Sequence, residues 1–238
     1  FSYDEKDPLL TDINFTVPGG KMYAIVGPSG SGKSTVVNMI PRLYDVNTGA
    51  IEVGGRNVKD YKLDKLRDGC SMVLQKNLLF SGTIRDNLKW GKEDATDEEI
   101  LKALEMVSAG FVLEKTEKGL DSEVGEGGGR LSTGEKQLLS FARTVLHKPS
   151  VMILDEATAN IDTETESLIQ EALEKLMQNR TTIMVAHRLS TIQHADNIIL
   201  LSKGKIVEQG NHQELLRQKG RYYHLYTLQY QKNQLKNS

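Results

Sequence analysis

A glycine-rich octapeptide restricts what this chain can fold into more than any other feature. It runs from Gly27 to Ser34 and directly follows a short apolar run, Met22–Val26. The octapeptide fits the pattern G-x-x-x-x-G-K-[ST], in which glycines let backbone N–H groups curl around phosphates and the next helix adds its N-terminal dipole. A chance match in a chain of this length is roughly 1 in 100 by average residue frequencies. We therefore predict a strand, a phosphate-binding loop and a helix over residues 33–43.

The predicted loop assigns contacts to a nucleotide. Lys33 would reach the β- and γ-phosphates, and the Ser34 hydroxyl would ligate Mg²⁺. No Asn-Lys-x-Asp guanine-reading motif occurs in the chain, which disfavours a P-loop GTPase, and we predict that the nucleotide is ATP. The residues of this segment that we predict to bind the nucleotide are Gly27, Pro28, Ser29, Gly30, Ser31, Gly32, Lys33, Ser34 and Thr35.

Three further short apolar runs predict buried strands. They are Cys70–Leu74, Val151–Leu154 and Thr181–Ala186. Each run is continuous rather than alternating, as expected for strands that are buried on both faces of a parallel sheet. Helical patterns lie between them, and Ile198–Leu201 with Lys205–Glu208 predicts a hairpin. The sequence therefore predicts an α/β fold with a mostly parallel sheet.

Polar side chains follow the ends of these predicted strands. Asp155 and Glu156 come directly after one run, and Gln75 and His187 follow the other two. Ligands of open parallel sheets bind beyond the carboxyl ends of the strands. Asp155 can hold Mg²⁺ through water, and Glu156 can orient the attacking water. Taken alone, two solvated carboxylates that end a strand would be an equally good interpretation, and the nearby glycine loop favours the catalytic one.

Composition limits the partners and the compartment. The net charge of −2 gives no bulk positive field, so we expect no nucleic-acid partner. Cys70 is the single cysteine, which suits a reducing compartment, and its apolar neighbours predict a buried thiol. No stretch reaches ~18 apolar residues, the length of a membrane-spanning helix. The chain begins at Phe1, inside a predicted strand, and we interpret it as a domain of a longer polypeptide.

The segment over residues 89–148 has a different sequence pattern from the rest of the chain. Thr96 and Ser132 are each followed three residues later by a glutamate, Glu99 and Glu135, which is the pattern of a helix capping box. No convincing strand is visible in the segment. We predict a helical insert in the α/β core, whereas the residues up to about 53 read as strands and turns.

One run gives the chain a family resemblance. Leu131–Gln137 (Leu-Ser-Thr-Gly-Glu-Lys-Gln) resembles the signature motif of the nucleotide-binding domain of ATP-binding cassette (ABC) transporters. The glycine loop, the polar strand ends, the signature and the run Ala159–Asp162 also occur in family order. The resemblance implies one ABC ATPase domain over residues 1–238. That domain would have a P-loop NTPase (RecA-like) core, an N-terminal antiparallel β subdomain and an α-helical subdomain at about residues 89–148.

The resemblance also implies roles for single residues. Tyr3 would stack on the adenine of ATP, and Gln75 would ligate Mg²⁺ or water and sense a transmembrane partner. Asp162 would belong to a loop that crosses a dimer interface, and His187 would contact the γ-phosphate. We expect these four residues to complete the site that the glycine loop begins.

Ser132 and Gly134 would act on a nucleotide that a second nucleotide-binding domain holds. The signature begins a predicted helix, and the N-terminal N–H groups of a helix favour an anion. Two domains, identical or different, would sandwich two ATP molecules head to tail. The signature departs from the family pattern at Thr133, usually glycine, and at Glu135, usually glutamine. We expect Glu135 to fold back as the capping partner of Ser132, which would keep its charge away from the phosphates.

Two segments are similar to those of exporters, where they touch helices of the membrane domains: Asn77–Leu88 and Glu123–Gly128. A plain glycine-rich loop remains an alternative for the second segment. The resemblance thus implies ATP-driven export through transmembrane domains, expected upstream in the same polypeptide, with the cassette on the cytoplasmic face of a membrane. Two other functions stay open, a cassette of a non-transport ABC ATPase and the regulatory member of an asymmetric heterodimeric exporter.

Overall fold

The structure is a computed structural model that describes residues 1–4, 7–73, 79–155, 163–186 and 192–236. Its strands are β1 (Met22–Val26), β2 (Glu52–Val53), β3 (Arg56–Asn57), β4 (Cys70–Val73), β5 (Val151–Asp155), β6 (Thr181–Val185), β7 (Asn197–Ser202) and β8 (Lys205–Gly210). Its α-helices are α1 (Lys33–Met39), α2 (Leu63–Asp68), α3 (Ile84–Lys89), α4 (Asp97–Met106), α5 (Gly110–Glu114), α6 (Thr133–His147), α7 (Thr163–Met177), α8 (His212–Gln218) and α9 (Arg221–Lys236).

The chain divides into two compact units, residues 1–67 with 181 onward, and residues 68–180. Residues 89–148 lie within the second unit. The structure describes all of them, and they form α4, α5, α6 and two short 3₁₀ turns, with no strand among them. The single ABC ATPase domain over 1–238 and the subdomain bounds 89–148 remain predictions.

The first unit contains a sheet with the strand order β6-β1-β7-β8. Strand β1 pairs in parallel with β6 on one side and with β7 on the other, and β8 completes an antiparallel hairpin with β7. All five residues of β1 are buried, as a strand that is covered on both faces requires. Because β1 and β6 are parallel, Gly27 after β1 and Ala186 after β6 leave the sheet at the same edge.

The N-terminal segment differs from the predicted strands and turns. No strand precedes Met22 among the described residues 1–4 and 7–21. The carbonyl of Phe1 accepts hydrogen bonds from the N–H groups of Leu9 and Leu10, both at 2.9 Å. These two bonds turn the segment back on Phe1, and the N–H of Thr11 donates outside the segment, to the carbonyl oxygen of Gly204 at 2.9 Å. The antiparallel β element outside the main sheet is the short pair β2–β3.

Helix α1 is shorter than the predicted helix over residues 33–43. It ends at Met39, shortly before Pro41, which has no N–H to donate to a further helical turn. Arg42 then has a left-handed backbone, with φ of 54°. Both features are incompatible with a helix that continues to Leu43.

The second unit contains the parallel pair β4–β5, in which Cys70 lies opposite Val151 and Val73 opposite Leu154. Strand β5 runs one residue beyond the prediction and includes Asp155. Helix α6 packs against α3, α4 and α7. Cys70 is buried, as predicted, and burial raises the pKa of its thiol to about 11, so the thiol stays protonated at neutral pH.

Helix starts follow the sequence closely. The predicted capping boxes of Thr96 with Glu99 and of Ser132 with Glu135 are confirmed, and two further boxes begin α3 and α8. The predicted fold class is also confirmed, a mixed α/β fold with mostly parallel strand pairs and an antiparallel pair. Within the described part of the chain, no helix combines the length and apolar character that a bilayer crossing requires.

Candidate nucleotide-binding site

The glycine loop leaves β1 through a position that admits no side chain. Gly27 has a φ of 150°, and a Cβ atom there would overlap the backbone carbonyl oxygen of Leu201 in β7. A backbone atom cannot rotate away as a side chain can, so the contact fixes the residue type. The loop therefore starts in close contact with the end of the neighbouring strand β7.

The loop passes into α1 without a side-chain cap. Gly32 occupies the N-cap position with a φ of 97°, and it has no side chain to satisfy the first helical N–H groups. A Cβ atom at Gly32 would lie 2.5 Å from Leu10 Cδ2. An uncapped helix start that follows a glycine loop is the arrangement that binds phosphate in proteins.

Two polar side chains are buried inside this loop. The Lys33 side chain is only 6% exposed, and its Nζ donates to the carbonyl oxygens of Gly27 and Pro28 at 3.0 and 2.9 Å. Ser31 is 2% exposed, and its Oγ has no hydrogen-bond partner within the described residues. A buried hydroxyl needs a hydrogen-bond partner, and a positive charge at a helix start favours an anion. The loop therefore fits the phosphates of a nucleotide.

The residues predicted to hold Mg²⁺ lie at element ends. Ser34 is exposed in the first turn of α1, and Asp155 is the partly exposed last residue of β5. No group of three or more acidic, histidine or cysteine side chains that could hold a metal occurs in the part of the chain described. Mg²⁺ in nucleotide sites takes one or two protein oxygen ligands beside substrate phosphates and water, and a hydroxyl and a carboxylate are ligands of that kind.

Tyr3 lies next to the first turn of α1. Its hydroxyl and the hydroxyl of Thr35 share a hydrogen bond of 3.0 Å, although 32 residues separate them. Phe1 and Tyr44 contact the Tyr3 ring edge to face, with centroid distances of 4.9 and 5.0 Å. Tyr3 remains 58% exposed, so the aromatic cluster leaves ring surface accessible for stacking.

The signature begins α6 with a complete capping box. The N–H of Glu135 donates to Ser132 Oγ at 3.2 Å, and the N–H of Ser132 donates to Glu135 Oε2 at 2.9 Å. The predicted fold-back of Glu135 is thus confirmed. The other oxygen of Glu135 accepts from Lys115 Nζ at 3.0 Å. Sequence reasoning missed Lys115, because a contact between residues 20 positions apart leaves no pattern in one sequence.

Gly134 has a packing role that the sequence did not reveal. It is buried in the first turn of α6, and a Cβ atom there would overlap Thr165 Oγ1 and lie 2.7 Å from Thr165 Cβ. The glycine therefore lets α6 approach α7 closely. The predicted nucleotide contact of Gly134 and this packing role are compatible, because the backbone N–H of the residue stays at the helix start.

One exporter-like segment is organised by a buried asparagine. The Asn87 side chain accepts from the N–H of Phe80 at 2.8 Å and donates to the carbonyl oxygens of Phe80 and Thr83 at 2.9 and 3.0 Å. Arg143 of α6 donates to the Asn87 carbonyl oxygen at 3.0 Å. The same turn presents Phe80 stacked on Trp90, with ring centroids 4.7 Å apart and exposures of 48% and 66%.

Four predicted site residues lie outside the described residues: Gln75, Glu156, Asp162 and His187. The start of the exporter-like segment, Asn77 and Leu78, also lies outside them. The structure nonetheless describes the strand ends that precede three of these residues, at Val73, Asp155 and Val185.

Comparison with known proteins identifies the family. A family model described as ABC transporter matches residues 10–159, more than half of the chain. The chain belongs to the ABC transporter family. A "Putative multidrug export ATP-binding/permease protein" of Staphylococcus aureus strain NCTC 8325 is 49% identical over 230 residues, which cover 96% of this cassette and 40% of the relative. A relative of the same description from the bovine strain RF122 is 48% identical over 230 residues, with the same coverage.

A solved structure gives the same result for the fold. The cassette matches the structure of a bacterial Atm1-family ABC exporter with ATP bound, with a TM-score of 0.89 and 38% identity over 96% of this chain and 40% of the exporter chain. The chain thus spans about two fifths of the length of these relatives. As a member of this family it is an ATP-binding ATPase domain.

Proposed function

We propose that this cassette binds and hydrolyses ATP with Mg²⁺, dimerises head to tail around ATP and powers export through attached transmembrane domains. The observation that carries the proposal is the pairing of two motifs within one chain. The glycine loop has a buried cation and an uncapped helix start, and the signature has an exposed Ser132 at the start of a 15-residue helix. Each motif fits phosphate, and they lie in different compact units.

Within the loop, the residues of this chain divide the work on ATP. The Lys33 ammonium would compensate the charge of the β- and γ-phosphates, and the Ser31 hydroxyl, which has no partner among the described residues, would bind a phosphate oxygen. Mg²⁺ would be held by Ser34 and Gln75, and by Asp155 through water, and when bound it supplies neutralising charge at the phosphates. Tyr3 would stack on the adenine.

Hydrolysis requires residues beyond the loop. Glu156 directly follows Asp155, so it would emerge where β5 ends and orient the attacking water. His187, one residue after Ala186, would contact the γ-phosphate and hold that geometry. Both assignments rest on the motif order and on the strand ends, which the structure describes.

Closure by a second domain follows from the signature. The first N–H groups of a helix have no acceptor within the helix, so those of Thr133 and Gly134 are available to an anion. Ser132 and Gly134 would therefore bind the ATP held by the partner cassette, and Asp162 would cross the interface between the two. Because both domains would share the charge of each ATP, hydrolysis would loosen the pair.

The membrane partner is supported by the relatives and by one surface. The relatives are described as export ATP-binding/permease proteins, of which this chain covers 40%. Phe80 and Trp90 form an exposed stacked pair, and exposed aromatic side chains are enriched at protein interfaces. We propose that this surface contacts the transmembrane domains, with the cassette on the cytoplasmic face of the membrane.

The test is gel filtration of Glu156→Gln with and without Mg-ATP. We expect ATP to convert the variant from monomer to dimer while turnover falls about 100-fold or more, because the water loses its general base but the phosphates keep their contacts. The matched control is the double variant Lys33→Ala, Glu156→Gln, which we expect to stay monomeric with ATP.

Three results would contradict the proposal. A Glu156→Gln variant that hydrolyses ATP at the parental rate would remove Glu156 from the chemistry. A monomer at every ATP concentration would contradict the homodimeric sandwich. Stimulation of turnover by duplex DNA at low salt would favour the non-transport cassette instead.

A further inference from the structure

The signature carries a buried negative charge where the proposed function requires a phosphate to bind. Glu135 lies in the first turn of α6, and its side chain is only 10% exposed. A carboxylate near a helix N-terminus is favourable by itself, because it meets the positive end of the helix dipole. The same carboxylate repels a phosphate that approaches that helix end. The chain therefore needs a way to keep the two negative groups compatible.

The two carboxylate oxygens of Glu135 have different partners. Oε2 accepts the N–H of Ser132 at 2.9 Å, which closes the capping box. Oε1 accepts from Lys115 Nζ at 3.0 Å. The backbone thus fixes one oxygen, and a cation neutralises the other.

Lys115 comes from a different element of the same compact unit. It directly follows the last residue of α5, and its Nζ lies 4.9 Å from the ring centroid of Phe111. The Lys115 side chain is 63% exposed, in contrast to the buried glutamate. The ion pair therefore places its positive member toward solvent and its negative member against the helix.

We propose that Lys115 is a positioning residue for the signature, which neutralises Glu135 and so lets the helix start of α6 accept the ATP phosphate of a second cassette. This inference rests on the proposed head-to-tail dimer. A glutamine at position 135 would be neutral by itself. In this chain the Lys115–Glu135 pair would supply the same neutral surface. Lys115 acts through Glu135 and on the nucleotide of the partner, not on the ATP in its own glycine loop.

A purely structural role would give a different pattern of effects. An ion pair with one exposed member contributes little to folding, so the loss of Lys115 should barely change thermal stability. Its effect should appear where a phosphate meets Glu135, in the ATP-dependent dimer. The effect should also vanish once Glu135 carries no charge.

The experiment is a double-mutant cycle in the Glu156→Gln background. The variants are Lys115→Met, Glu135→Gln and the two combined, with Lys115→Arg as the conservative control. Methionine keeps an unbranched apolar side chain without the charge, and glutamine keeps an oxygen for the Ser132 N–H. Sedimentation velocity measures the dimer dissociation constant with Mg-ATP. ATP affinity at low protein concentration and the thermal midpoint are measured alongside.

Lys115→Met should raise the dimer dissociation constant about tenfold. The dimer contains two signatures, and the loss of the ion pair at each one should weaken association about threefold. Lys115→Arg should retain parental dimerisation. In the Glu135→Gln background, Lys115→Met should change the dimer dissociation constant by less than about twofold. Such non-additivity would show that Lys115 and Glu135 are directly coupled. ATP affinity of the monomer and the thermal midpoint should not change with Lys115→Met.

Two outcomes would overturn the inference alone. One is parental dimerisation by Lys115→Met, and the other is an equal loss with and without the Glu135→Gln change. If the Glu156→Gln parent stays monomeric at every ATP concentration, the proposed dimer fails, and this inference fails with it. The parental sample thus separates the two failures.

Discussion

The glycine loop and the signature both place glycine beside the first turn of a helix, yet they use it differently. In the loop, Gly32 precedes α1 with a left-handed backbone, and no side chain caps the helix. In the signature, Ser132 and Glu135 form a capping box at the start of α6, and Gly134 allows close packing against Thr165. The loop therefore offers the first N–H groups of α1 to an anion. The capping box of the signature uses the N–H groups of Ser132 and Glu135 and leaves those of Thr133 and Gly134 at the helix start.

The two regions also carry opposite buried charges. The loop buries the Lys33 ammonium between the carbonyl oxygens of Gly27 and Pro28. The signature buries the Glu135 carboxylate and leaves its cation, Lys115, exposed. A phosphate is thus attracted by the first region and merely tolerated by the second. This predicts that ATP binds first at the loop and that the signature closes over it afterwards.

The largest expected effect concerns the loop. Lys33→Ala should weaken ATP binding by about 100-fold, because a charge-assisted contact to the phosphates contributes about 1.5–3 kcal/mol. Equilibrium binding of a fluorescent ATP analogue measures the loss. Lys62→Ala, an exposed lysine of the same compact unit, is the matched control and should bind normally. If Lys33→Ala bound ATP with the parental affinity, the loop would not attract phosphate through its buried cation, and this difference from the signature would be lost.

The next effect concerns the signature and appears as stability. Gly134→Ala forces a Cβ atom into Thr165, so α6 and α7 must separate, at a cost of about 2 kcal/mol. We expect the thermal midpoint to fall by about 6 °C, measured by differential scanning calorimetry. Thr133→Ala, at the exposed neighbouring position, should leave the midpoint unchanged. Addition of Thr165→Ala should restore part of the loss, and no restoration would mean that another contact fixes the glycine.

The smallest effect concerns the aromatic cluster beside the loop. Tyr3→Ala should weaken ATP affinity about fivefold, since base stacking contributes about 1–3 kcal/mol and the ring is largely exposed. The maximal hydrolysis rate should be nearly intact, because Tyr3 would contact the adenine and not the reacting phosphate. Tyr3→Phe keeps the ring and loses the bond to Thr35. If Tyr3→Phe binds ATP as weakly as Tyr3→Ala does, the hydroxyl contact and not the ring stacking determines the ATP affinity.

Features set by local sequence could be predicted, and features set by distant contacts could not. Strand β1 followed from five consecutive apolar residues, and the caps of α4 and α6 followed from residues three positions apart. The strand predicted at Phe1 is not found among the described residues, where Leu9 and Leu10 instead donate to the Phe1 carbonyl oxygen, a contact that has no sequence signal.

The site shows the same division. The glycine loop was visible as a motif, whereas the ion pair of Lys115 with Glu135 joins residues 20 positions apart. The contact of Gly134 with Thr165 and the stacking of Phe80 on Trp90 likewise depend on how elements pack. Such contacts become visible only when the helices are placed in space.

The position of Gly27 against Leu201 has a genetic consequence. Every single-nucleotide change of a glycine codon that alters the residue produces one with a Cβ atom or a stop. At Gly27 any Cβ atom overlaps a backbone carbonyl oxygen, so every substitution there should disturb the loop. The codon for this residue should therefore be among the least tolerant in the gene, and its variants should be lost through the fold of the loop before its chemistry is ever tested.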